Sequence, residues 1–208
     1  MNPTPSLYVE TYIKDENSEW LVFLHGFGGS VKMWKKQLSF FRSKYNLLLL
    51  DLPGHGNSRT GIAQMDIHHF EDVADMIVTD LRRRGIEKAC FMCASVGTLV
   101  FASIQEKYPE VVSGAILCGA VAGVSRALKH TLAVLDRIKR AFPYMLLLRI
   151  FAHLLLPLKQ HAKSRTFFIE SGKLLGRKEF LAWFSLCIHE LDVLKDLDAD
   201  MNNVLFIS

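Results

Sequence analysis

Five short apolar runs divide the first half of the chain, and each closes on turn-forming residues. Residues 8–13 alternate apolar with polar side chains and are rich in β-formers. Residues 20–24 are continuously apolar and stop at His25-Gly26. Residues 46–50 stop at Asp51-Leu52-Pro53-Gly54, residues 88–92 run up to Cys93-Ala94-Ser95, and residues 112–117 stop at Cys118-Gly119. Short continuous runs bounded by turn signals predict strands buried on both faces. Between them the spacing changes to three and four. Residues 33–44 repeat through Met33, Trp34, Leu38 and Phe41, and residues 67–83 through Phe70, Val73, Ala74, Ile77 and Leu81, with Gly85 placed to cap the end. A third helix is predicted over 96–107, ahead of Pro109. Strands alternating with helices predict an α/β fold with a mostly parallel central sheet and helices on both faces.

At Ala120 that rhythm breaks. Residues 121–190 read as helix throughout, with leucine and aromatic clusters and no good strand. Three segments follow: a core over 1–120, an all-helical insertion above the sheet over 121–190, and a return to the core over 191–208. The last holds a short helix (191–197) and a further buried strand (204–207).

Composition adds little to this picture except at two points. The chain has 208 residues, half of them hydrophobic and 22% charged, which is ordinary for a globular domain. Its amino terminus lacks a basic region followed by an apolar one, so no secretory signal is visible. The most apolar stretch, 141–158, is interrupted by Pro143, Arg149, His153 and Pro157, short of the roughly 20 apolar residues a membrane span needs. The expected compartment is the cytoplasm. Cys90 and Cys93 form a C-x-x-C inside a strand-like run without a second ligand pair, and so read as buried thiols; no metal or other cofactor is expected. Charge is the second point. Net charge is +4, yet residues 126–190 hold twelve Lys and Arg against four Asp and Glu. This reads first as a solvated helical surface. The sharper alternative is a basic lid drawing in anionic substrates or touching an anionic membrane surface. Nucleic acid is not an expected partner, because no recognised motif accompanies the charge.

The candidate chemistry centres on Ser95. In Cys93-Ala94-Ser95-Val96-Gly97 a serine with small neighbours stands between a strand and a helix. A tight strand-to-helix turn of this kind lifts one hydroxyl clear of the sheet, ready to attack a carbonyl. The plain alternative is a serine N-cap. Acyl transfer also needs two N–H donors aimed at the developing oxyanion. The Val96 amide follows the nucleophile, and the Phe27 amide lies in the glycine-rich loop His25-Gly26-Phe27-Gly28-Gly29. His25 itself reads as a hydrogen-bonded structural residue. Asp51-Leu52-Pro53-Gly54-His55-Gly56-Asn57-Ser58 is a compact turn with no chemistry of its own.

In this order and at these separations, the three motifs resemble the α/β-hydrolase superfamily over essentially the whole chain. The resemblance implies Ser95 as nucleophile and the Phe27 and Val96 amides as oxyanion hole. Gly26 and Gly97 become the close-approach glycines, and 121–190 a cap or lid. Two departures stand out. Cys93 occupies the first elbow glycine. The family's acid and histidine follow later strands, and both positions are expected beyond Ser208, in roughly 50 further residues. The less common acid position after Gly119 holds no carboxylate. Among substitute bases, His55, His68, His69, His130, His153, His161 and His189, spacing singles out none. On this basis 204–207 would lack a neighbour, and the chain alone is expected to be inactive and prone to associate.

Three functions follow. The first is a serine hydrolase cleaving a small, largely apolar ester, thioester or other acyl substrate; Phe142, Tyr144, Leu146, Leu147, Phe151 and Leu154 are available to line an acyl pocket, though for most of them packing in the core of the helical insertion is the first reading. The second is acyl transfer, carbon–carbon hydrolysis or cofactor-free peroxidase chemistry on the same fold. The third is a binding or regulatory protein without a working triad.

Overall fold

The computed structural model describes residues 7–120, 125–190 and 203–207. Six strands form one sheet: β1 (Val9–Tyr12), β2 (Trp20–Leu24), β3 (Asn46–Leu50), β4 (Ala89–Ala94), β5 (Val112–Cys118) and β6 (Val204–Ile207). Their spatial order is β1-β3-β2-β4-β5-β6. Only β1 runs antiparallel to its neighbour; every other pair is parallel. The continuous leucines of β3 are buried along its whole length, as a strand covered on both faces requires.

The core helices are α1 (Lys35–Phe41), α2 (Ile62–Met65), α3 (Phe70–Arg83) and α4 (Val96–Lys107). α3 buries Phe70, Val73, Ala74, Ile77 and Leu81 in one stripe. Glu71 and Asp72 sit in its first turn and Arg82 and Arg83 in its last, matching the helix dipole. The helix begins at Phe70 rather than at residue 67, because His69 is extended (φ −127°, ψ 145°). The helix expected over 33–44 is a 3-10 turn (Val31–Trp34) followed by the short α1.

Four helices occupy the second segment: α5 (Arg126–Ile138), α6 (Tyr144–Leu155), α7 (Ala162–Leu175) and α8 (Arg177–His189). Residues 121–124 and the helix expected over 191–197 lie outside the described residues. α6 and α7 cross closely at Gly172, where a Cβ would stand 2.6 Å from Leu148 Cδ1. Among the described residues no helix is long and apolar enough to cross a membrane.

One expectation is corrected. β6 forms at the predicted place, but it is not buried: Leu205, Phe206 and Ile207 are exposed. It pairs with β5 on one side and has no described strand or helix layer over the other.

Candidate active site

The chain leaves β4 through a turn that few side chains tolerate. Ser95 has φ 49° and ψ −118°, one of two described non-glycine residues with positive φ. Such a conformation costs on the order of 1–3 kcal/mol and persists only where the surroundings over-determine it. Here they do. The Ser95 amide donates to the Cys118 carbonyl at 3.0 Å, and the Ser95 carbonyl accepts from the Thr98 amide at 2.8 Å and the Thr98 hydroxyl at 2.6 Å. Gly97 presses on the end of β2, where a Cβ would lie 2.5 Å from the Leu24 carbonyl oxygen. Gly26 abuts the elbow, where a Cβ would stand 3.1 Å from Ser95 Cβ.

The serine's hydroxyl does not cap α4, and Ser95 is exposed between buried neighbours. An N-cap serine has an extended backbone and accepts from an amide of the first turn. Neither holds here, so the plain N-cap reading fails. Cys93 does not obstruct the turn. Its side chain is fully buried in the core between sheet and helices, and burial pushes its thiol well above the ordinary range.

The Val96 amide opens α4 and so has no acceptor within the helix. Among the described residues, neither it nor the Phe27 amide donates to a turn or loop carbonyl. Ser95 borders a cavity of about 40 Å³, little larger than one water's share of the liquid. Its walls include Phe27, Leu132, Phe151, Leu155, Phe168 and Cys187, all apolar or soft. Of the six residues proposed from sequence to line an acyl pocket, only Phe151 does so. Helical geometry explains the rest. The face of α6 carrying Leu148, Phe151 and Leu155 turns toward the core and pocket, Leu146 faces solvent, and Tyr144 packs against Phe180. Phe27 links this cavity to the insertion, stacking on Phe168 with centroids 5.4 Å apart and meeting Phe151 edge-on at 6.1 Å.

The two glycine-rich loops are stitched together beneath the elbow. His25 is fully buried, and its Nε2 accepts from the Leu52 amide at 2.9 Å. That leaves Nδ1 as the donor to the Gly26 carbonyl at 2.8 Å. Burial first, then the neighbouring His55, lowers its pKa to about 3, so it is a neutral strut with both nitrogens engaged. Asp51 accepts from the Val31 amide at 2.7 Å and the Asn57 amide at 2.8 Å, tying the first loop to the second. Burial raises its pKa.

No described histidine lines the cavity at Ser95. Besides His25, His55 is buried with Nδ1 on the Pro53 carbonyl, and burial lowers its pKa to about 4. His68 pairs with Asp66, His69 with Glu190 and His189 with Asp136. His153 bonds the Arg149 carbonyl.

Sequence reasoning missed a set of buried polar links between α8 and the core. The Glu179 carboxylate accepts from the Ile62 amide at 2.7 Å and the Ala63 amide at 3.3 Å, and so caps α2. Trp183 Nε1 donates to Glu179 at 3.0 Å and to the Pro53 carbonyl at 3.1 Å. Gly54 and Gly61 make the slot for this carboxylate; a Cβ on either would lie 2.5 or 2.1 Å from it. Past the other end of α8, Glu190 accepts from the Phe70 amide at 2.7 Å and binds His69 at 2.6 Å. Glu190 raises the pKa of His69 through that bond.

Comparison with known proteins agrees with this geometry. The family model for the alpha/beta hydrolase fold matches residues 19–169, and the chain belongs to that family. A 2-succinyl-6-hydroxy-2,4-cyclohexadiene-1-carboxylate synthase of Pectobacterium atrosepticum is 42% identical over 78 residues, covering 38% of this chain and 29% of that protein. The chain thus matches well under half the length of such relatives. Among solved structures, a carboxylesterase of Nitrososphaera gargenis superposes with TM-score 0.72 at 18% identity, covering 98% of this chain and 77% of the other. A thermophilic esterase of Thermogutta terrifontis superposes with TM-score 0.69 at 22% identity, covering 96% and 74%.

Proposed function

We propose that the protein is a serine hydrolase in which Ser95 attacks the carbonyl of a small, largely apolar ester, thioester or related acyl substrate. The observation that carries this reading is the elbow itself: a strained, exposed serine whose hydroxyl caps nothing and borders an apolar cavity. The amides of Phe27 and Val96 receive the charge of the tetrahedral intermediate, and water later releases the acyl group. The apolar walls favour an acyl chain over a charged substituent. A cavity of about 40 Å³ is far below the several hundred Å³ of ordinary ligand sites, so substrate entry requires the insertion to shift as a lid. The base that activates Ser95 and the acid that orients it stand outside the described cavity walls. Fluorophosphonate labelling of the full-length protein tests the proposal. Labelling is expected in the parent and lost in Ser95→Ala; equal labelling of both removes Ser95 from the role.

The cavity without a described histidine favours one second reading, a family member that binds acyl ligands without turning them over. Ligand binding without labelling of the full-length parent would select it.

A further inference from the structure

Residues 137–169 carry seven Lys and Arg and not one Asp or Glu. That stretch builds the end of α5, α6, the connection after it and the first part of α7, which supply Phe151, Leu155 and Phe168 to the wall of the cavity at Ser95. Around the connection between α6 and α7 three apolar side chains are turned outward. Leu155 is 37% exposed, Leu158 53% and Phe167 58%. Leu155 also forms part of the cavity wall, so the mouth of the candidate site lies at this apolar tip. Arg165 holds the hairpin in shape by donating to the carbonyls of Leu156 and Leu158. Arg149, Lys159 and Lys163 form no ion pair among the described residues.

Protruding leucine and phenylalanine mixed with unpaired cations, with Glu170, the one acid of α6 and α7, paired to Lys173, is poorly suited to water. It also differs from a protein–protein interface, whose core is depleted in lysine. It suits a surface that is apolar a few Å down and negatively charged on top. We propose that the α6–α7 hairpin docks on an anionic lipid surface, with Leu158 and Phe167 entering the acyl boundary and Lys159, Lys163 and Arg149 meeting the headgroups. The docking does not depend on Ser95 being catalytic. Its meaning for access, an apolar acyl substrate passing from the lipid to the cavity beside Leu155, rests on that reading.

Co-sedimentation of the full chain with vesicles decides it. Binding is expected to phosphatidylcholine vesicles doped with phosphatidylglycerol, weakening as salt rises, and to be slight with phosphatidylcholine alone. Lys159→Gln with Lys163→Gln should weaken binding about thirtyfold, since each cation near such a surface contributes roughly a fivefold effect. Leu158→Ser with Phe167→Ser should abolish stable binding, and Ser95→Ala should bind as the parent does. All these positions are exposed, and unchanged thermal unfolding would show the variants folded. Equal binding to neutral and anionic vesicles, or folded charge and apolar variants that bind like the parent, overturns the proposal. So does tight, competing binding to an acidic polypeptide with none to the vesicles.

Discussion

α8 and the α6–α7 hairpin belong to the same helical segment, yet they are joined to the sheet by different physics. α8 is bound through directional, buried polar contacts. Glu179 and Glu190 each accept from the first amides of a core helix, and Trp183 reaches the Pro53 carbonyl. The hairpin makes no hydrogen bond to residues 7–120 among those described. It rests on rings, chiefly Phe151 and Phe168 against Phe27, and on α7 backbone at Ser171–Gly172 lying close over Gly28. A buried hydrogen bond to a carboxylate is lost almost completely when its partner moves, because the group left behind is desolvated. Apolar contact has no such direction and survives sliding. The difference bears on the proposed lid: on that reading α8 stays with the core, and the α6–α7 hairpin is the part that shifts to uncover Ser95.

The contrast can be broken most directly at Trp183. Trp183→Ala removes a fully buried ring and two hydrogen bonds, and should cost about 3–5 kcal/mol in denaturant unfolding. Glu179→Ala comes next, at roughly 2–3 kcal/mol, because the Ile62 and Ala63 amides lose their acceptor and Trp183 keeps only the Pro53 carbonyl. Its pH dependence gives a separate check. Burial raises the Glu179 pKa above its ordinary 4.5, so the folded state holds the proton more tightly than the unfolded chain. The stability this contributes is full below pH 4.5 and fades as pH rises through the folded pKa. Glu179→Gln should flatten that slope in melting temperature against pH. Phe168→Ala, on a half-buried hairpin ring, should cost only about 1–2 kcal/mol. On the proposed function it should also shift acyl preference toward longer chains, read as kcat/KM across an ester chain-length series. Leu174→Ser, at a residue 89% exposed, should change stability by less than about 0.5 kcal/mol. Should Glu179→Ala prove as mild as Leu174→Ser, the two regions are not held differently and the assignment of motion fails.

The strands and the elbow were legible because their causes are local. Continuous leucines ending at turn residues mark β3, and small residues around Ser95 mark a tight bend whatever surrounds it. The α8 links were not legible, because Glu179 pairs with an amide 117 positions away and Trp183 with a carbonyl 130 away. No period in the sequence marks such partners. A weak hint existed: Glu179 and Trp183 are spaced four apart on a helix, a polar residue beside an aromatic on an inward face. Which apolar residues of α6 reach the pocket is not legible for a related reason. Apolar side chains cover nearly the whole of α6, so composition cannot tell which face meets Ser95; in the fold Phe151 packs against Phe27 and, with Leu155, borders the cavity. β6 was placed correctly and its burial was not, since burial depends on neighbours that a strand's own residues do not encode.

The glycine slot at residues 54 and 61 has a consequence for how such proteins diversify. A carboxylate on the upper layer and two missing side chains on the lower one are a matched lock, and neither half is useful alone. Swapping residues 125–190 for the equivalent segment of a relative should therefore succeed only when the recipient loop already has room for the incoming acid. In this chain the helical layer and its seat fit as one unit, and the hairpin end carries no such matched contact.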